Sequence, residues 1–170
     1  MDFLTIVKEN EEEFADIAQI LFDDFAIKTH TTLYRLSEIE FYWNSIKHVD
    51  NSTYKRNHVD PKSGDWFFHY SGVDIALKNE TTGGHGGILI RSLYDINNEK
   101  PVKGPMVCAM KLFSCTNAFS KSIETQIIPY KFFKSEVIKR PRIGLGENAK
   151  VNDAYKLNYA FLIDPNKNRN

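Results

Sequence analysis

No part of this chain offers the roughly 20 consecutive apolar residues that a membrane helix requires, because charged or polar residues interrupt every apolar run. Cysteine is scarce. Cys108 and Cys115 are the only two, and their spacing matches no metal knuckle, so buried, reduced thiols are expected and a disulfide scaffold is excluded. Net charge is absent as well: 22 lysines and arginines balance 22 acids, whereas tight DNA binders carry a clear basic excess. Residues 1–10 hold no basic segment followed by an apolar stretch, so no secretion signal is visible and the cytoplasm is the expected compartment. Repeats, linkers and low-complexity segments are also missing. A chain of 170 residues with these properties is expected to fold as one α+β domain over 1–170, with no membrane association.

The neutral total conceals an asymmetry. Residues 1–24 hold one lysine against eight acids, whereas residues 100–170 hold thirteen lysines and arginines against five acids. A basic final third would suit phosphate contacts through Lys139, Arg140 and Arg142. It would equally suit a solvated surface with an acidic internal partner.

Apolar residues at Phe14, Ile17, Ala18, Leu21, Phe22 and Phe25 recur at steps of three and four, which predicts a helix over 12–27. Thr31 to Trp43 reads as a strand. Its alternation puts Glu38, Glu40 and Tyr42 on one face, and Ile39, Phe41 and Trp43 together on the other. Two strand-like pieces flank Ser71-Gly72 within 66–77, and an apolar strand covers 87–93. The segment 106–115 fits helix or strand, and closing strands are expected at 141–146 and 156–163. The glycine-rich segment 83–87 lacks the Lys-Ser/Thr of a phosphate loop and precedes a strand, so a turn with several positive-φ residues is expected.

Several residues could carry chemistry. Carboxylates beside a tyrosine, as at Glu38, Glu40 and Tyr42, can form the floor of a general-base site if burial raises one pKa. Arg91 interrupts an apolar strand, so it must be paired or face a polar cavity, with Glu38, Glu40 and Asp74 as its natural partners. The run Trp66-Phe67-Phe68-His69-Tyr70 supplies aromatic faces that could stack on a base, although such runs also build ordinary cores. Within the long polar segment 44–63, His48-Val49-Asp50 and His58-Val59-Asp60 contain metal-ligand types. Turn hydrogen bonds use the same residues, and no cofactor or metal is expected.

Taken in order, these motifs resemble the alkyladenine (3-methyladenine) DNA glycosylase family. The resemblance rests on Ile20-Leu21-Phe22-Asp23 before Glu38-Ile39-Glu40-Phe41-Tyr42, then on Phe68-His69-Tyr70-Ser71-Gly72-Val73-Asp74-Ile75. It continues through Gly87-Ile88-Leu89-Ile90-Arg91-Ser92 and Gly104-Pro105 to Arg142-Ile143-Gly144-Leu145, spanning about residues 15–163. It implies a mixed, mostly antiparallel sheet curved around a cleft with flanking helices, and double-stranded DNA containing damaged bases as partner. It implies hydrolysis of the N-glycosidic bond of an alkylated purine, with the base flipped out of the duplex. Glu40 would activate the water and Arg91 would hold the phosphate or position that water. Tyr42 would stack on the base, and Phe67, His69, Tyr70 and Asp74 would complete the base site. Asp74 stands where the family usually has Asn. On the residues alone, a non-catalytic nucleobase-, nucleotide- or protein-binding module and a metal-dependent hydrolase remain as alternatives.

Overall fold

The computed structural model describes residues 2–55, 59–114, 119, 125–151 and 153–167; His58 and Cys115 lie outside them. Helix α1 (Glu11–Asp24) begins where Asn10 Oδ1 accepts from Glu13 N–H at 3.0 Å. The Glu13 carboxylate reaches back to the Glu9 and Lys8 amides at 2.8 and 2.9 Å, so side chains satisfy donors that the first turn leaves open. Phe14, Ile17, Ala18, Leu21 and Phe22 form its buried stripe.

The helix stops three residues before the apolar periodicity predicts. Strand β1 (Phe25–Lys28) follows without a break and pairs with both β2 (Leu33–Asn44) and β7 (Gln126–Pro129). No glycine or proline marks this boundary. The stop is tertiary: Arg35 Nε donates to the Phe22 carbonyl at 3.0 Å, and Asp23 accepts from Arg35 at 3.2 Å and from Ser135 N–H at 3.1 Å. Buried hydrogen bonds at the helix end therefore override its local preference.

Among the described residues, nine strands form one curled half-barrel in which every pairing is antiparallel. Its spine is β2 against β5 (Gly84–Asp95). The hairpin β3 (Trp66–His69) and β4 (Gly72–Asn79) adds to the first half of β5, and β6 (Lys100–Lys103) adds to the second. Strand β9 (Ala160–Leu162) covers the middle of β2's other edge and pairs with β8 (Ile138–Arg140). Residues 141–146, expected as a strand, form a loop after β8. Helix α2 (Pro105–Phe113) packs on β4, β5 and β6, with Pro105 in its first turn after Gly104 at φ 98°.

The buried face of β2 meets α1. Ile39, Phe41 and Trp43 are fully enclosed, and Phe41 stacks on Phe14 with ring centroids 4.8 Å apart. Three of the glycines expected in a turn, Gly84, Gly86 and Gly87, lie inside β5. A Cβ on Gly84 would sit 2.3 Å from the Trp43 ring, and one on Gly86 would sit 1.9 Å from the Tyr42 carbonyl oxygen. Close approach of two backbones and a buried indole requires these glycines, while positive φ occurs only at Gly83 in this segment.

Candidate functional site

The opposite face of β2 carries Glu38, Glu40 and Tyr42, and its geometry is set by a break in the β2–β5 ladder. Leu36 opposes Leu93, Glu38 opposes Ser92 and Ile39 opposes Ile90, so Ser37 and Arg91 are each passed over by the register. Such bulges re-aim side chains. The Arg91 carbonyl accepts from Gly104 N–H at 2.9 Å, at the point where β4 ends its pairing with β5 and β6 begins.

Arg91 bridges both acids: its Nη1 lies 3.4 Å from Glu40 Oε2, and its Nε lies 3.6 Å from Glu38 Oε1. Asp74, the third expected partner, pairs with His69 instead. Glu40 is wholly buried. Its Oε2 also accepts from the Tyr42 hydroxyl at 2.9 Å, and its Oε1 accepts from Ile143 N–H at 3.2 Å. Burial raises the Glu40 pKa, while Arg91, the Ile143 amide, Tyr42 and Arg142 pull the other way. The half-buried Tyr42 phenol is likewise pushed upward, first by desolvation and then by the Glu40 charge. A carboxyl with a raised pKa, still supplied with a guanidinium and two hydrogen-bond donors, is equipped to hold or accept a proton.

Arg142 is not on the surface. Both it and Asp50 have side chains with no exposed area, and they pair at 2.7 Å. The guanidinium also donates to the Phe41 and Ala154 carbonyls, each at 3.1 Å, and lies 4.5 Å from the centre of the Tyr42 ring. A side chain so enclosed has no face to offer a phosphate, which corrects its expected place among the DNA contacts. It fixes the 45–55 segment over β2 and braces Tyr42. Lys139 pairs with Glu11 at 3.2 Å, and Arg140 pairs with Glu38.

Beyond Tyr42 opens a cavity of about 300 Å³, walled by Tyr42, Tyr54, His69, Tyr70, Asp74 and the 144–146 loop. The Tyr54 and His69 rings lie 4.5 Å apart. Tyr70 is 84% exposed at the hairpin tip. Phe67 departs from its expected role as a stacking face: it is buried behind the wall, 6.0 Å from the His69 ring and 6.3 Å from Tyr54. Glu40 does not line the cavity itself; its contact with it runs through Tyr42 and through Leu89, its register partner.

The two His-x-Asp units serve separate purposes in the described residues. Asp50 holds Arg142, His48 Nε2 lies 3.4 Å from the Tyr159 hydroxyl, and Asp60 pairs with Lys78 at 2.8 Å. Among the described residues no three His, Cys, Asp or Glu side chains gather as a metal site. Sequence reasoning did not single out Tyr54, Ser71, the Ile143 amide or the Asp50–Arg142 pair as parts of the site. Ser71 and Ile143 carried a signal only as members of the family motifs 68–75 and 142–145, and Asp50 only as part of a His-x-Asp unit.

No family model matches this chain, and no solved structure matches it. An uncharacterized protein of Acanthamoeba polyphaga mimivirus is similar to it, 29% identical over a 195-residue alignment that covers 91% of this chain and 87% of that protein. Among the described residues, no helix is long and apolar enough to cross a membrane.

Proposed function

We propose that this protein is a DNA glycosylase that hydrolyses the N-glycosidic bond of damaged, alkylated purines after flipping them from the duplex. The observation that carries this reading is the Glu40 cluster. A fully buried carboxylate is bonded to Tyr42 O–H, Arg91 and the Ile143 amide, immediately behind an aromatic cavity. Glu40 is the general base for water, Arg91 balances its charge and orients the water or the phosphate, and Tyr42 presents the ring against which the flipped base lies. His69, Tyr70 and Asp74 form the rest of the base pocket, and the exposure of Tyr70 supports its filling the vacated stack. The aromatic walls favour a cationic alkylated base. Lys139 and Arg140 take phosphate contacts by exchanging their acidic partners for DNA.

One observation favours a second reading, a binding module that holds a nucleobase or nucleotide without hydrolysing it: Glu40 exposes no surface to an attacking water. A base-release assay separates the two. Wild-type protein is incubated with alkylated, deaminated and oxidised duplexes, and both free base and bound DNA are measured. Release of free base is the expected result. Saturable binding without release from any duplex would leave only the binding module.

A further inference from the structure

The β3–β4 hairpin places a second set of reactive groups on the cavity wall, independent of Glu40. Asp74 Oδ1 lies 3.0 Å from His69 Nε2, and His69 Nδ1 lies 2.9 Å from Ser71 Oγ. The Ser71 backbone N–H also points at Nδ1, at 3.3 Å. A backbone N–H can only donate, so Nδ1 is the acceptor nitrogen and Nε2 carries the proton, which it gives to Asp74. The lone pair that would take a proton therefore faces Ser71 Oγ. The side chains of His69 and Asp74 are nearly enclosed, at 6% and 4% exposed, and both line the cavity together with the half-buried Ser71. The cavity that the three residues share holds about 300 Å³, enough for a small ligand.

We infer that Ser71 is an activated nucleophile and that the cavity supports acyl transfer from small carboxylic esters to water. Ser71 Oγ bonds to the ester carbonyl carbon as His69 Nδ1 takes its proton, and the carbonyl electrons move to oxygen. The Tyr54 hydroxyl, 3.5 Å from Ser71 Oγ, is the nearby donor for that oxyanion. Burial pushes the Tyr54 phenol up to about 12, so it keeps its proton. The tetrahedral species collapses, the ester C–O bond breaks, and His69 gives its proton to the departing alkoxide. Water then attacks the acyl-serine with His69 again taking a proton. The acid is released and the proton returns to Ser71. Ser71 and His69 are the catalytic residues in this step; Asp74 acts through His69 and is a positioning residue.

The test uses the full chain with p-nitrophenyl acetate as substrate and a fluorophosphonate as trapping agent. The account predicts one label per folded chain, mapped to Ser71, no label on urea-unfolded protein, and ester hydrolysis above the rate of the unfolded chain. Ser71→Ala, which removes one hydroxyl from a turn, should abolish both while leaving circular dichroism unchanged. His69→Gln should slow labelling by roughly two to four orders of magnitude, the span that general-base catalysis supplies. For Asp74→Asn the readout is nitrogen NMR of the imidazole. The wild type should show His69 protonated at Nε2 alone, and the variant should show mixed tautomers together with slower labelling. Labelling elsewhere than Ser71, labelling indifferent to His69→Gln, or no labelling of the folded chain would each overturn the assignment. None of these outcomes depends on whether the chain releases bases from DNA.

Discussion

At the scale of single residues, two buried ion pairs behave in opposite ways. Asp50–Arg142 is sealed from solvent on both sides, so removing one partner strands a buried charge. Arg142→Ala or Asp50→Ala should cost about 3–5 kcal/mol in chemical denaturation, while replacing both with apolar residues should cost far less. A double-mutant cycle showing simple additivity would contradict that coupling. Glu40 is different because burial holds its pKa above the ordinary carboxylate range. A carboxyl with a raised pKa in the fold binds its proton more tightly folded than unfolded. Its contribution to stability is therefore full at low pH and is lost as pH rises through the folded value. Glu40→Gln should then unfold at no lower denaturant concentration than the wild type at mildly alkaline pH. The same sign governs catalysis: the base works only when ionised, so the acid limb of the pH–rate profile should lie above the usual carboxylate range. A limb within that ordinary range would mean that Glu40 is not the group titrating.

At the scale of elements, the alternation in β2 was readable because one face is uniformly apolar and the other carries acids and a tyrosine. Its period of two predicts both the core face and the face of the site. The end of α1 was not readable. Its stop comes from Arg35 and Ser135, the latter 112 residues away from Asp23, and no local residue announces it. Gly84 and Gly86 read as turn formers because a sequence does not show which indole and carbonyl will lie against them. Gly86→Ala should destabilise by about 1–3 kcal/mol through forced overpacking, measured by urea denaturation, with a Gly83→Ala control limited to the strain of its positive φ of 68°. An unchanged midpoint for Gly86→Ala would contradict the close β2–β5 approach. Arg91 was legible as a cation inside an apolar strand that needs acids. The bulge that turns it toward both Glu38 and Glu40 is a register effect, and periodicity alone does not contain it.

At the scale of the whole molecule, the half-barrel gives α1 one face of β2 and leaves the other for Glu38, Glu40 and Tyr42, with the buried Asp50–Arg142 pair braced against Tyr42. The charge asymmetry of the sequence is internally compensated where the structure describes it: Lys139 meets Glu11, Lys131 meets Asp24 and Arg140 meets Glu38. Phosphate contacts through Lys139 and Arg140 must therefore compete with these pairs. Neutralising both should lower the salt slope of DNA binding by at most about two, near one per lost contact; an unchanged slope would remove this surface from the interface. The central claim, that Glu40 is the base of an N-glycosidic hydrolase, is tested most directly by single-turnover release of free base from an alkylated duplex, wild type against Glu40→Gln. The account predicts a fall of roughly two to four orders of magnitude with DNA affinity retained. Equal release rates in the two proteins would contradict it.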